Sequence, residues 1–204
     1  MTPEQFQAAT GAAPGQMADL QAYLDLLTEA NAVMNLVGPA TLPEFWTRHA
    51  LDSWQLLGHA PEAITWADLG AGAGLPGVVL AIFLKGRPGA QVWLVDSLTK
   101  RCRFLQQVVD ALDLPATVIN DRAEACARPV QMVAARACAP MDRLLGYAQP
   151  WLSAGAQALF LKGEKAELEL KQAAKSWKVS VELSPSISDP RGRVVRVRSL
   201  ARAR

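Results

Sequence analysis

Residues 64–77, ITWADLGAGAGLPG, decide how this chain folds. The apolar run 64–69 reads as a short strand, and it leads into a loop containing Gly70, Gly72, Gly74 and Gly77. A second apolar run, 78–84, reads as the first helix after that loop. A strand, a glycine-rich turn and a helix open a doubly wound nucleotide-binding sheet. The glycines let backbone approach a ligand where a Cβ would collide, and they take up turn dihedrals that other residues resist. Such a turn alone is a weak signal. Asp68, two residues before the first glycine, and the order of elements downstream sharpen it.

Downstream, strands and helices alternate. Residues 92–95 form an apolar strand ending at Asp96, and 98–112 a helix with Cys102, Leu105, Val109 and Leu112 on one side. Lys100, Arg101 and Arg103 lie near the start of that helix. Strands follow at 117–119 and 130–135, a helix at 141–152, a strand at 156–161 and a helix at 165–177. Strands separated by helices predict a mostly parallel sheet. The rhythm then breaks, because the last two strands, 179–183 and 194–197, lie too close for a parallel crossover and suit an antiparallel pair. The expectation is an α/β fold, a seven-stranded mostly parallel sheet ending in an antiparallel hairpin. It resembles the Rossmann-like, class I S-adenosylmethionine-dependent methyltransferases.

Upstream, residues 1–14 are polar, small and marked by Pro and Gly, and are expected to be loosely held. Met17, Leu20, Leu24, Leu27 and Met34 fall near helical spacing, and a second helical stretch covers 43–57. Residues 1–60 therefore read as an N-terminal helical extension, and 61–204 as the methyltransferase domain, the two forming one compact unit.

The bulk composition excludes some classes. With 204 residues, half of them apolar, the chain can build one α/β domain of ordinary size plus an extension. The net charge of +2 decides nothing about partners, although Arg191, Arg193, Arg196, Arg198, Arg202 and Arg204 crowd the C-terminus. No apolar run reaches the roughly 18 residues of a membrane span, and the N-terminus lacks a secretory pattern. The three cysteines, Cys102, Cys126 and Cys138, form no CxxC pair, which fits a reducing cytosol and argues against a zinc site or disulfide frame. The chain is expected in the cytoplasm, without a metal, as a monomer.

The spacing Gly72, Gly74, Gly77 also fits a dinucleotide fingerprint, so an NAD(P)-dependent oxidoreductase stands as the rival reading. Asp96 does not discriminate, since an acid ending the second strand can hold ribose hydroxyls of either ligand. Asp68 does: a carboxylate at the mouth of the loop repels a pyrophosphate but suits a ligand carrying an ammonium and a sulfonium. Glu124, in Arg122-Ala123-Glu124, follows the third strand as an adenine contact or a solvated helix start. Arg136 ends the fourth strand, where it can bind a carboxylate or RNA, or form a structural ion pair. Cys138 reads as a small buried hydrophobe, because cytosine-C5 chemistry usually shows Pro-Cys or Thr-Cys. A third reading is a non-catalytic RNA-binding module.

Seven stretches occur in order: NLVGPA (35–40), RHALDS (48–53), DLGAGAGLPG (68–77), DSLTKRCRFL (96–105), RAEA (122–125), ARACAP (135–140) and LKG (161–163). Together they resemble the bacterial 16S ribosomal RNA guanine-N7 methyltransferases, once called glucose-inhibited division protein B. Val37, Leu75 and Ala135 depart from residues common in that family, with no loss of charge or glycine. The resemblance implies S-adenosylmethionine as methyl donor and a guanine of 16S rRNA, naked or in a 30S particle, as acceptor. It implies that Gly70 and Leu75 line the donor pocket, that Ala123 and Glu124 flank the adenine, and that Arg136 lies near donor and acceptor. With Asp68, Gly72, Gly74 and Asp96 from the loop and second strand, these make the expected donor site, with Arg136 also positioning the acceptor.

Guanine N7 carries a free lone pair at neutral pH, so no general base is expected, and His49 reads as a packing or RNA-contact residue. Rate is expected from in-line placement. The expected RNA surface comprises Lys100, Arg101, Arg103, Lys162, Lys165, Arg196 and Arg198, acting through charge and shape. Arg196 and Arg198 equally suit a solvated strand face.

Overall fold

A computed structural model describes residues 1–203; Arg204 lies outside the described residues. Seven strands form one sheet in the order β3-β2-β1-β4-β5-β7-β6. They are β1 (Thr65–Leu69), β2 (Gln91–Asp96), β3 (Ala116–Asn120), β4 (Met132–Arg136), β5 (Gln157–Lys162), β6 (Trp177–Pro185) and β7 (Arg193–Arg202). The first five are parallel, and β7 runs antiparallel to both β5 and β6. The alternation of apolar runs and the short final connection predict this arrangement. Because β1 lies between β2 and β4, the chain leaves the sheet centre in both directions. A ligand crevice forms at that switch point, beyond the carboxyl ends of the strands.

Helices cover both faces. α1 (Pro3–Thr10), α2 (Pro14–Met34), α3 (Asp52–His59), α4 (Gly77–Leu84) and α5 (Thr99–Leu112) pack one face; α6 (Met141–Ser153) and α7 (Ala166–Ala173) pack the other. Strand β1 shows the alternation that divides the two cores: Trp66 enters the first, while Ala67 and Leu69 enter the second. All eight residues of α4 are buried, which is why its sequence is apolar all round. The first core runs without a break from Phe6 and Leu20 through Leu80 to Val194, so the N-terminal helices share it with the sheet.

The N-terminus is not loose. Thr2 and Gln5 form a reciprocal capping box, Pro3 opens the helix, and Gly11 closes it in a left-handed turn. Phe6 is fully buried with ring centroids 5.4 Å from Trp46 and 6.4 Å from Phe83. Small polar residues suggested a tail, but one aromatic anchor and two caps order it. The second helical stretch is also more varied than a single helix. A 3-10 turn (Pro39–Glu44) leads into a π-helical segment (Trp46–Leu51) before α3 begins. At the other end, α7 stops at Ala173, and Trp177 starts β6 with its ring packed beneath Arg202.

Candidate active site

The glycine loop is shaped by contacts beneath it. Gly70, Gly72 and Gly74 all adopt positive φ, and the Gly70 and Ala71 amides both donate to the Val95 carbonyl at 2.9 Å. Tyr23 of α2, fully buried, donates to the Ala73 carbonyl at 2.7 Å and fixes the loop from behind. Asp96 accepts from the Gly72 amide and the Leu98 amide at 2.9 Å each, with Arg101 3.6 Å away. The end of β2 and the loop are thereby joined through one carboxylate.

Asp68 is not at the mouth of the loop, as expected from sequence, but behind it. It is completely buried, and its Oδ2 accepts from the Gly77 amide at 2.8 Å, capping the first N–H of α4. Among the described residues its Oδ1 has no hydrogen-bond partner. Burial raises its pKa to about 7, against the Gly77 hydrogen bond and the positive field of Arg136. Because the folded pKa lies above the ordinary 3.8, ionisation opposes folding, and stability falls as pH rises through the interval from about 4 to 7. A shift of that size corresponds to roughly 4 kcal/mol. Denaturant titrations from pH 4 to 8 are expected to show this decline in the wild type and a flatter profile in Asp68→Asn. Parallel profiles would refute it.

Opposite the loop stands the end of β4. Arg136, with 17% of its side chain exposed, donates to the Arg48 carbonyl at 2.8 Å and lies 3.6 Å from Asp52 Oδ2. Asp52 Oδ1 accepts from Gln55 at 2.9 Å and from the Ser188 hydroxyl at 2.6 Å, while Gln55 also bonds Ser186 and the Ile187 amide. Helix α3, the β4 rim and the β6–β7 loop are tied together at this carboxylate. Sequence reasoning quoted Asp52 within RHALDS without assigning it this task, and missed Tyr23, Gln55, Ser186 and Ser188. Tyr23 alone left a signal, since it shares the helical stripe of Leu20 and Leu27.

Between these walls lies an open cleft of about 1240 Å³. Of the expected site residues, Gly70, Gly72, Leu75, Arg101, Arg136, Lys162 and Lys165 line it. Gly74 and Asp96 support it from below. Ala123 and Glu124 lie on the turn after β3, outside the cleft, with the Ala123 carbonyl held by Trp151 at 2.7 Å. Lys100 bonds the Val33 carbonyl, and Arg103 projects into solvent from α5.

Arg196 and Arg198 are not brought to the cleft. Strand β7 runs away from it: Arg193 pairs with Lys162 at the ligand end, while Arg196 reaches Gln157 at the opposite end of β5. Arg198 pairs with Glu182 at 2.7 Å. Arg48, Arg191 and Arg193 instead join Arg101 and Lys165 around the cleft.

Neither reactive side chain near the cleft is primed for proton or nucleophile chemistry. His49 is buried, bonded to Thr41 at 2.9 Å, and its pKa falls to about 3 through burial and the cations Arg136 and Arg48. It is a neutral packing residue against Phe45. Burial, followed by the Asp68 and Asp96 charges, raises the Cys138 thiol, so it is no thiolate.

The sequence profile described as rRNA small subunit methyltransferase G matches residues 16–191. The chain belongs to that family. Relatives of the same description are 62% identical in Caulobacter sp. (strain K31), over 98% of this chain and 90% of the relative, and 59% identical in Caulobacter vibrioides, over 98% and 92%. Methylorubrum extorquens has one at 46%, over 91% and 89%. Among solved structures, a SAM-dependent methyltransferase from Aquifex aeolicus superposes with a TM-score of 0.59 at 15% identity, covering 82% of this chain and 97% of that one. Magnesium protoporphyrin IX methyltransferase from Synechocystis, with bound SAM, gives 0.57 at 13%, covering 92% and 99%. The fold is thus that of Rossmann-like S-adenosylmethionine-dependent methyltransferases, and family membership decides against the dinucleotide reading. No helix among the described residues is long and apolar enough to cross a membrane.

Proposed function

We propose that this protein methylates N7 of a guanine in 16S rRNA, using S-adenosylmethionine. The observation that carries the reading is a cleft with the donor loop on one wall and Arg136 on the other, whose lining carboxylates among the described residues, Glu44, Asp52, Glu164, Glu169 and Asp189, each lie within 4.0 Å of a cation. Amines and hydroxyls need deprotonation before they attack; guanine N7 does not. When bound, S-adenosylmethionine supplies a methyl group to the N7 lone pair while its carbon–sulfur bond breaks and the electron pair stays on sulfur. Gly70, Gly72 and Leu75 cradle the donor, Asp96 holds the loop that receives it, and Arg136 fixes the acceptor from the facing wall. The Asp52 and Glu169 carboxylates are already engaged with cations, so neither takes a proton.

The cations ringing the cleft bind RNA phosphates, and a base unstacked from its loop enters the pocket. The enzyme acts as a single copy in the cytoplasm. Labelled-methyl transfer onto 16S rRNA and 30S particles from cells lacking the endogenous activity is expected to yield one 7-methylguanine on mapping. Transfer to another atom, or none, would overturn the assignment. The logarithm of RNA affinity is expected to fall linearly with that of salt, and Arg191→Ala to flatten the slope by about one. Arg198→Ala, on the far part of β7, should change it less.

A further inference from the structure

Where β5 meets α7, the cleft wall carries an ammonium and a carboxylate side by side that neither donor binding nor the methyl transfer uses. Lys162 Nζ lies 2.7 Å from Glu169 Oε2 and donates to the Ala139 carbonyl at 3.0 Å. Glu169 Oε2 also accepts from the Met141 amide at 2.8 Å. An ammonium has three N–H groups and a carboxylate two oxygens. Among the described residues, one N–H of Lys162 and Oε1 of Glu169 are therefore left without a protein partner. Both side chains line the cleft and keep 9% and 23% of their surface exposed. The pair is also close to the donor loop: Ala139 follows Cys138, whose sulfur a Cβ on Gly70 would overlap.

We propose that Lys162 and Glu169 together read the O6–N1 edge of the acceptor guanine and so set base identity, an inference that rests on the guanine-N7 reading above. Guanine presents an acceptor, O6, next to a donor, N1–H. The unpaired lysine N–H matches the first and Glu169 Oε1 the second. Adenine presents the reverse order, a donor at position 6 and an acceptor at position 1, which sets like against like at both contacts. N7 lies on the other side of O6 from N1, so its lone pair remains free.

The pair also suits the change in charge. As N7 gains the methyl group the purine becomes cationic, and its N1–H becomes a stronger donor. A lysine alone beside that ring would oppose the reaction. Glu169 neutralises the lysine, and its bond to N1–H strengthens as the new N–C bond forms, which favours the transition state over the ground state. No proton leaves N1; Glu169 accepts a hydrogen bond and is not a base.

The test uses full-length 16S rRNA carrying guanosine, inosine or 1-methylguanosine at the mapped acceptor position, with wild type, Glu169→Ala and Glu169→Gln. Inosine keeps O6 and N1–H and is expected within about fivefold of guanosine in kcat/KM, whereas 1-methylguanosine should fall more than about 100-fold. Glu169→Ala is expected to lower guanosine turnover about 10- to 100-fold without a further loss on 1-methylguanosine, so the ratio between them collapses at least tenfold. Glu169→Gln, which retains an oxygen for one of the two contacts, should fall between. Calorimetric donor affinity within twofold of wild type would show that the fold survives. A purely structural Glu169 would lower all three substrates by one factor, and that result, or rejection of inosine by the wild type, overturns the proposal. If the wild type forms no 7-methylguanine, the parent reading fails with it; if it does and the ratios stay fixed, only the base-reading role fails.

Discussion

Replacing Arg136 with alanine is expected to lower kcat for methyl transfer by about 100-fold, the usual cost of a misplaced acceptor or a lost charge-bearing donor. Donor affinity should change far less, because Gly70, Gly72 and Asp96 hold the opposite wall. Stability should also survive. The substitution leaves Asp52 without its cation, but Oδ1 of that carboxylate keeps Gln55 and Ser188 as donors, so the loss is about 1–3 kcal/mol. Single-turnover rates, calorimetry and denaturant unfolding on the same sample separate the three quantities. Asp52→Ala should reproduce part of the kinetic loss, since it frees both Arg136 and the Ser186–Ser188 loop. In the double variant the two effects should be markedly less than additive. Strict additivity would mean that Asp52 does not act through Arg136, and an unchanged kcat in Arg136→Ala would remove the residue from the mechanism.

Gly70→Ala is expected to abolish measurable donor binding. Gly70 sits at φ +72°, a conformation that costs an alanine about 1 kcal/mol or more, and its added Cβ would overlap Cys138 Sγ and approach Cys138 Cβ to 3.2 Å. Backbone and thiol must move apart, and both are at the cleft wall. Replacing Cys138 with alanine as well removes the sulfur but not the strained dihedral, so the double variant should recover part of the affinity. Calorimetric titration with S-adenosylmethionine reads both. Wild-type affinity in Gly70→Ala would show that the loop does not carry the donor.

The centre of the fold was legible because its causes are local. A strand, four glycines and an apolar helix specify the β1–α4 unit from consecutive residues, and alternating elements leave parallel pairing as the ready outcome. The hairpin followed from the length of one connection. What escaped was set through space. Residues 1–14 look like a tail until Phe6 finds Trp46 and Phe83. The period of a strand puts Arg196 and Arg198 on one face but cannot say which end of the strand meets the cleft. Pairing with β5 decides that, and it brings Arg193 forward while carrying the other two away. Asp68 was recognised by its position before the glycines, yet only packing shows that its carboxylate faces the α4 amide and not the ligand.

The sequence by itself therefore determined the sheet and the glycine loop, because spacing along the chain fixes backbone direction and local shape, while the kind of chemistry followed from the resemblance of seven ordered stretches to one family. Tertiary structure alone decided which charges share the cleft. Asp52, Arg136 and Ser188 belong to three elements far apart in the chain, and the ion pair of Asp52 with Arg136 and its hydrogen bond from Ser188 exist only once the two cores have closed around the sheet.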